Sequence, residues 1–307
     1  MKLLITGANG RVGSALCAYF LQRGDEVIPV TRADVDLTNL PALRAFLLEK
    51  NFDCLINPAA MSAPDQCEQE PELAQRINAD APAVMAEIAQ LRGVRMIHFS
   101  TDYVFAGDRA GKRRETDCAE PSTVYGRSKL AGEQKVLENA PGLASVLRVS
   151  WVYGGERPGF VDQVMAQLLA GQSVRAVSDK WSIPTALDDL CEWVACLSKS
   201  SPGGIWHGCH AGEPVSWYAL AIAVQETLQA GGWLAQGANV DAQSITEMSQ
   251  WSARRPIHTA MDSAKLSSHL PRPIVDWRDA LRRVIEQKMG GVPAIILDAS
   301  CMTPVVD

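Results

Sequence analysis

The chain has 307 residues, of which 47% are hydrophobic and 21% are charged, and its formal net charge is −6. This composition is typical of a globular protein and excludes a fibrous or disordered chain. The one short basic run is 112–114, so we expect no nucleic-acid partner. No apolar run is long enough to span a bilayer, and no signal peptide precedes the first strand-like segment. We therefore expect a cytoplasmic protein that does not bind membranes.

The first half of the chain alternates short apolar runs with helical patterns. Strands are predicted at 2–6, 26–31, 54–57, 95–100 and 144–148, and helices at 11–23, 41–49, 72–91 and 124–139. Such alternation is typical of a parallel sheet with helices on both faces and ligands at the carboxyl ends of its strands. We predict an α/β fold, with a Rossmann-type, doubly wound parallel sheet that binds NAD(P) over residues 1–150.

The second half has a different composition, since all eight tryptophans lie at or after Trp151. Helical patterns cover 159–170, 186–198, 216–229 and 277–288. We predict a smaller, mostly helical C-terminal lobe over 151–289, which would bind the substrate and return one or two segments to the large sheet. Residues 290–307 form a tail to which the sequence assigns no role.

A glycine-rich loop follows the first predicted strand and opens the first predicted helix. Gly7 permits the turn, Gly10 lets a phosphate approach the backbone, and Gly13 lets the helix pack closely on the strand. The free N–H groups and partial positive charge of a helix amino terminus attract a pyrophosphate. The loop is therefore predicted to bind a dinucleotide. Its predicted contacts are Gly7, Asn9, Gly10, Arg11, Val12 and Gly13.

Arg32 follows the second predicted strand, where an acidic residue would normally bind the adenosine ribose. The guanidinium groups of Arg11 and Arg32 can instead hold a 2′-phosphate through charge-assisted hydrogen bonds. This favours NADPH. NADH is the alternative cofactor if Arg32 is a solvated loop residue and Asp34 or Asp36 supplies the carboxylate. Asp36 and Leu37 are predicted to lie beside the adenine.

Tyr125 and Lys129 are one helical turn apart and share a helix face. The ammonium stabilises the phenolate, so the tyrosine can exchange a proton near working pH. Thr101 follows a strand and can bind a substrate carbonyl oxygen. A tyrosine–lysine pair alone is common in helices. Its occurrence with the glycine loop and the segments 57–60 and 100–105 predicts a nicotinamide-dependent carbonyl reductase, with Thr101, Tyr125 and Lys129 as catalytic residues.

These motifs, together with 150–154, 184–185 and 255–256, resemble those of the dTDP-4-dehydrorhamnose reductase (RmlD-like) family of the extended short-chain dehydrogenase/reductases. The resemblance spans residues 1 to 288. It implies that Lys129 also binds the nicotinamide ribose and that Asp102, Tyr103 and Trp151 lie near the substrate. The further cofactor contacts that it implies are Ala59, Ala60, Asn78, Ser100 and Tyr125.

The chain departs from the family pattern around the expected sugar site. Pro58 replaces an alanine, and Lys180 and Trp181 lie in a segment that usually reads Asp-Gln-x-Gly. We expect Lys180 and Trp181 to contact the substrate, which leaves the identity of the sugar open. Ala15 stands where some family members have a glutamate that helps to bind an interfacial Mg²⁺. We therefore predict no metal.

The predicted activity is the NADPH-dependent reduction of a 4-keto-6-deoxy sugar nucleotide, with dTDP-4-dehydro-L-rhamnose to dTDP-L-rhamnose as the first candidate. Tyr103 follows Asp102 where sugar dehydratases have a second acid, which favours a reductase. Two alternatives are a non-catalytic NADP-binding regulatory subunit, like that of methionine adenosyltransferase, and a sugar-nucleotide epimerase. The intact Thr101, Tyr125 and Lys129 argue against the regulatory subunit. The expected partner is a nucleotide sugar, and the candidate assembly is a homodimer.

Overall fold

The computed structural model describes residues 1–200, 202–234 and 238–290. Its strands are β1 (Lys2–Thr6), β2 (Glu26–Val30), β3 (Cys54–Asn57), β4 (Arg95–Thr101), β5 (Ala144–Val149), β6 (Val152–Tyr153), β7 (Val174–Val177), β8 (Trp181–Ser182), β9 (Thr185–Ala186), β10 (Gly204–Gly208), β11 (Val215–Ser216) and β12 (Val240–Gln243). Its α-helices are α1 (Arg11–Gln22), α2 (Leu40–Glu49), α3 (Pro64–Gln69), α4 (Pro71–Gln75), α5 (Ala81–Arg92), α6 (Val124–Asn139), α7 (Phe160–Leu169), α8 (Leu187–Ser200), α9 (Trp217–Ala230), α10 (Ala264–His269) and α11 (Trp277–Gly290).

Six of these strands form a parallel sheet in the order β10-β5-β4-β3-β1-β2. Helices α1 and α8 pack on one face, where Leu16 and Leu190 belong to the same buried cluster. Helices α2, α5 and α6 cover the other face, with Leu43, Met85 and Val136 in its core. Strand β2 lies on one side of β1, whereas β3, β4 and β5 lie on the other side, so the strand order reverses between β1 and β3. Sheets of this kind bind ligands at the point of reversal. The predicted doubly wound α/β fold is confirmed.

The predicted helix at 72–91 is interrupted in the structure. A π-helical turn, Arg76–Asp80, separates α4 from α5, and the Ala81 N–H donates to the Arg76 carbonyl. The cause lies in Pro82, which has no N–H to donate to the carbonyl of Asn78 four residues earlier. The carbonyl of Asn78 faces α6 instead, since a Cβ at Gly132 would lie 2.1 Å from it. The short helix α3 was not predicted.

The residues after β5 build a second core and also extend the first sheet. Helices α7, α9 and α11 surround a buried cluster that includes Leu168, Val224 and Trp277. Three two-stranded sheets pair β7 with β12, β6 with β9 and β8 with β11. Strand β10 and helix α8 belong to the large sheet and its covering layer. The boundary at residue 150 stays a prediction.

A buried ion pair holds α6 on the sheet. Arg148 of β5 and Glu133 of α6 lie 2.6 Å apart, and their side chains are 2% and 1% exposed. The second oxygen of Glu133 accepts hydrogen bonds from Arg148 Nε at 2.9 Å and from the Ser100 hydroxyl at 2.5 Å. Removing one partner of such a pair leaves an uncompensated charge in the interior. The resulting loss of stability is far larger than the stability that the intact pair contributes.

Within residues 1–200, 202–234 and 238–290, no helix combines the length and apolar character that crossing a bilayer requires. In the same three ranges, no group of three or more His, Cys, Asp or Glu side chains is placed to hold a metal ion. The cytoplasmic location and the homodimer stay predictions. Apart from Gly290, the tail at 290–307 lies outside the described residues.

The ion pair predicts a large effect of one substitution on stability. Glu133→Gln leaves the Arg148 guanidinium buried without its anion, so we expect the free energy of unfolding to fall by about 3–5 kcal/mol. Urea unfolding followed by circular dichroism measures this change. Arg175→Gln is the control, because Arg175 and its partner Glu247 are 61% and 51% exposed. An equal loss in both variants would contradict the prediction.

Candidate active site

Two close contacts bring the predicted catalytic residues together. Strand β4 ends at Thr101 and passes into a 3-10 turn, Asp102–Val104. Helix α6 begins directly against this turn, because a Cβ at Gly126 would lie 2.3 Å from the Tyr103 carbonyl oxygen. The rings of Tyr103 and Tyr125 are 5.5 Å apart at an interplanar angle of 66°. Tyr125 therefore lies next to the turn that starts at Thr101.

The carboxylate of Asp102 anchors this turn to the C-terminal lobe. It accepts hydrogen bonds from the hydroxyls of Thr101 at 3.2 Å and Ser182 at 3.0 Å, and from that of Thr259. Burial raises the pKa of Asp102, while the Lys180 ammonium and these hydroxyls act in the opposite direction. Thr101 also accepts a hydrogen bond from the Tyr103 N–H at 3.2 Å. Thr101 is thus held by the turn itself and, through Asp102, by Ser182 and Thr259 from the second half of the chain.

Lys129 carries its charge into the protein interior. Its side chain is 2% exposed, and its ammonium lies 3.4 Å from Nε2 of His98 on β4. Burial lowers the pKa of Lys129 to about 8, although Glu133 and Cys67 act to raise it. Burial and the nearby ammonium lower the pKa of His98 well below its usual value, so its imidazole is neutral. Lys129 therefore begins to lose its charge in mildly alkaline solution.

The glycine loop has the shape that a dinucleotide requires. Gly7 has a φ of +56°, and a Cβ at Gly13 would lie only 2.1 Å from the Gly7 carbonyl oxygen. Helix α1 begins after Gly10 with no side-chain cap and no acidic residue in its first turn. Its first N–H groups are therefore available to an anion, as phosphate binding at a helix amino terminus requires.

The two arginines predicted to bind a 2′-phosphate have different surroundings. The guanidinium group of Arg11 donates to the carbonyls of Arg157 at 2.6 Å and Pro158 at 2.9 Å. Arg32 is exposed. Hydrogen bonds from Thr38 lower the pKa of Asp36, and the charge of Arg32 adds to this effect. In this structure Arg32 is the more accessible of the two cations.

Both acidic candidates for the ribose are engaged in local turns. The carboxylate of Asp34 accepts hydrogen bonds from the Thr31 N–H and hydroxyl, each at 2.8 Å. Asp36 accepts the same pair of bonds from Thr38, also at 2.8 Å. Both carboxylates are therefore held within the loop that follows β2.

Asn78 acts within the protein as a brace behind the predicted cofactor site. Its side-chain oxygen accepts from the Met61 N–H at 2.8 Å, and its nitrogen donates to the Met61 carbonyl and to Ser128, both at 3.0 Å. These bonds hold the loop after β3, where Ala59 packs against Gly7. Among the other predicted contacts, Asn9 is exposed, and Val12, Leu37 and Ala60 are half-buried.

Lys180 supports two aromatic rings of the predicted sugar site. It is fully buried, with its ammonium 4.9 Å from the centre of the Tyr103 ring and 5.9 Å from that of Trp151. It donates a hydrogen bond to the Pro256 carbonyl at 2.9 Å. Burial lowers the pKa of Lys180 to about 8, against the effect of Asp102. Trp181 is half-buried in β8 beside it.

Trp151 has the backbone strain and the free donor expected of a ligand-binding residue. Its φ of +44° is unfavourable for a bulky side chain, and such residues cluster at functional sites. Among residues 1–200, 202–234 and 238–290, its buried indole N–H has no hydrogen-bond partner. Its ring lies 5.5 Å from that of Trp217, which stacks on Phe160 at 5.5 Å.

Several polar residues around the candidate catalytic residues were not predicted from the sequence. Ser182 and Thr259 hold Asp102, and His98 contacts Lys129. No local sequence pattern indicates the role of Ser182 or Thr259, because Asp102, to which both bind, is far away in the chain. The sequence did contain a signal for His98, which is a histidine inside the apolar run of β4, three residues before Thr101.

The model of the RmlD substrate binding domain family matches residues 1–289. The chain belongs to this family. A dTDP-4-dehydrorhamnose reductase of Mycobacterium tuberculosis is 35% identical over 91% of this chain and 91% of its own length. The spore coat polysaccharide biosynthesis protein SpsK of Bacillus subtilis is 32% identical over 94% of this chain and 98% of its own. The crystal structure of dTDP-4-dehydrorhamnose reductase from Bacillus anthracis in complex with NADP has a TM-score of 0.84 and 29% identity, and the match covers 93% of this chain and 99% of that one.

The contact of Gly126 with the Tyr103 carbonyl predicts a defect in catalytic geometry. Gly126→Ala would push the first turn of α6 away from Thr101, so we expect kcat in a ketoreductase assay to fall by about 100-fold. Arg127→Ala, an exposed neighbour on α6, is the control and should retain wild-type kcat. Equal rates for Gly126→Ala and the control would show that the close contact is not needed for catalysis.

Proposed function

We propose that this protein uses NADPH to reduce the 4-keto group of a dTDP-linked 6-deoxy sugar, and that its substrate is dTDP-4-dehydro-L-rhamnose. The observation that supports the proposal is the position of α6 against β4: Thr101 ends the strand, Tyr125 lies beside Tyr103 of the turn that follows, and Lys129 lies beside His98 of the same strand. The names of the Mycobacterium tuberculosis and Bacillus anthracis relatives support the reaction, and the NADP in the latter structure supports the cofactor.

The glycine loop, Arg32 and Lys129 would hold NADPH, which when bound supplies the hydride. Tyr125 donates its phenolic proton to the keto oxygen of the sugar, which becomes the hydroxyl of the product. The ammonium of Lys129 stabilises the phenolate that remains. The hydroxyl of Thr101 rotates away from Asp102 and donates a hydrogen bond to the same oxygen, which favours the negative charge that develops there.

The aromatic residues beside this site would bind the sugar. Trp151 offers an indole N–H that has no partner in the part of the chain that the structure describes, and an oxygen of the ligand would satisfy it. Tyr103 and Trp151 are both backed by the Lys180 ammonium, which keeps their rings in place. In this proposal Lys180 acts on the substrate through these two rings.

The role of Tyr125 as proton donor can be tested directly. Tyr125→Phe removes the proton while keeping the ring, so we expect kcat for NADPH oxidation with dTDP-4-dehydro-L-rhamnose to fall by about 10²- to 10⁴-fold. The Kd for NADPH, measured by fluorescence, should change little. Tyr19→Phe is a matched control in α1, where its hydroxyl contacts only the Arg23 side chain at 3.2 Å among the described residues.

Unchanged turnover in Tyr125→Phe would refute the assigned role. The wild-type protein should also be assayed with UDP- and GDP-linked 4-keto sugars, since faster turnover of one of these would overturn the choice of dTDP. If no keto sugar is reduced and a methionine adenosyltransferase co-purifies in stoichiometric amount, the regulatory function would replace the reductase.

The exposed Arg32 predicts the cofactor preference. Arg32→Ala removes a cation that would bind the 2′-phosphate, so we expect kcat/KM for NADPH to fall at least about tenfold. The value for NADH, which lacks this phosphate, should stay the same. Arg44→Ala removes a cation from α2 that pairs with Glu87, and it should alter neither value. A parallel loss for both cofactors in Arg32→Ala would exclude 2′-phosphate recognition by this residue.

A further inference from the structure

A row of buried polar side chains crosses the sheet beneath the catalytic lysine. Thr6 of β1, Asn57 of β3 and His98 of β4 lie on neighbouring parallel strands, and Asn57 and His98 are register partners. The Thr6 hydroxyl donates to Asn57 Oδ1 at 2.5 Å, and Asn57 Nδ2 lies 3.0 Å from His98 Nδ1. His98 Nε2 lies 3.4 Å from the Lys129 ammonium. All four side chains are at most 2% exposed.

The donors and acceptors of this row admit two proton arrangements. A neutral imidazole has one N–H and one lone pair. If Asn57 donates to Nδ1, as its nitrogen does in this orientation, Nε2 carries the hydrogen and Lys129 must be a neutral amine to accept it. If the carboxamide of Asn57 turns over, it accepts from Nδ1–H, and Nε2 can accept a hydrogen bond from the Lys129 ammonium.

We propose that His98 and Asn57 are positioning residues for Lys129: they hold its terminal nitrogen at β4 and, through the orientation of the Asn57 carboxamide, set whether it carries its proton. The form with Asn57 as acceptor keeps Lys129 charged, which is the form that stabilises the Tyr125 phenolate. This inference rests on the proposed reductase function for its catalytic meaning. The effect on Lys129 itself can be measured without substrate or cofactor.

The other titratable groups around Lys129 do not replace His98 in this role. Glu133 lies one turn later on α6, but its carboxylate is paired with Arg148 at 2.6 Å. Burial raises the pKa of Cys67, which faces Lys129 from α3, to about 11, so its thiol is neutral where Lys129 titrates. Tyr125 lies one turn earlier on α6. His98 is the neutral side chain of β4 that contacts the Lys129 nitrogen.

The experiment titrates Lys129 in the cofactor-free protein. The protein is labelled with carbon-13 lysine at the ε position, and the Lys129 resonance is identified by its loss in Lys129→Met. The pH midpoint of this resonance is then measured in the wild type, His98→Leu, His98→Gln, Asn57→Asp and Ile97→Val. Ile97 is a buried neighbour in β4 that belongs to the cluster beneath α1 and α8, so Ile97→Val controls for altered packing of the strand.

The two key variants should move the midpoint in opposite directions. His98→Leu removes the acceptor, so the ammonium loses its proton more easily and the midpoint falls by at least about one pH unit. Asn57→Asp can only accept from His98, which leaves Nε2 facing the ammonium, and its negative charge also favours the cation. The midpoint should therefore rise. His98→Gln can accept through its side-chain oxygen and should lie close to the wild type, as should Ile97→Val.

The pKa that limits kcat/KM at alkaline pH should shift in the same direction as the Lys129 midpoint in each variant. This pKa belongs to a group of the free enzyme. A Lys129 midpoint that stays unchanged in both His98→Leu and Asn57→Asp would overturn the proposal and leave His98 as a filler of the core. If His98→Leu does not fold, an unchanged or lowered midpoint in Asn57→Asp overturns the proposal. If the wild type reduces no keto sugar, the reductase proposal fails, while the titration still decides the role of His98.

Discussion

The close approach of α6 to the sheet is the constraint on which the catalytic site depends. Two glycines make it possible, since a side chain at Gly126 or Gly132 would collide with the backbone of Tyr103 or Asn78. The Glu133–Arg148 ion pair then fixes the helix on the sheet. Because Tyr125 and Lys129 lie on this helix, the same packing that stabilises the fold places the phenol beside Tyr103 and the ammonium beside His98 of β4.

Most polar groups of the site are already engaged before any ligand binds. Asp102 accepts from three hydroxyls, Asn78 braces the loop after β3, and Lys180 lies under two aromatic rings. Such fixed partners limit the reorganisation that a reaction would otherwise require. The exceptions are informative, because the indole N–H of Trp151 and the uncapped start of α1 are donors that a sugar and a phosphate would satisfy.

The polar contacts also explain how two cores form one site. Ser182 and Thr259 come from the second half of the chain, yet both bind Asp102 beside Thr101. Arg255 and Asp65 form a second connection at 2.6 Å, with the arginine side chain fully buried. A substrate that enters between β4 and these segments would therefore meet groups from both halves of the chain.

The sequence by itself determined the fold class and the family, and it predicted the catalytic triplet, because all three depend on local signals. Apolar periodicity predicts strands and helices, glycine spacing predicts the phosphate loop, and a four-residue spacing places Tyr125 and Lys129 on one face. The π-helical turn before Pro82 also has a local cause, but the helical pattern on both sides of this turn predicted one continuous helix. Only the tertiary structure decided that Lys180 lies beneath Tyr103 and that His98 connects Lys129 to Asn57. These contacts join residues 31 to 77 positions apart, and the order and register of strands that bring such residues together are not encoded in the local pattern of any one segment.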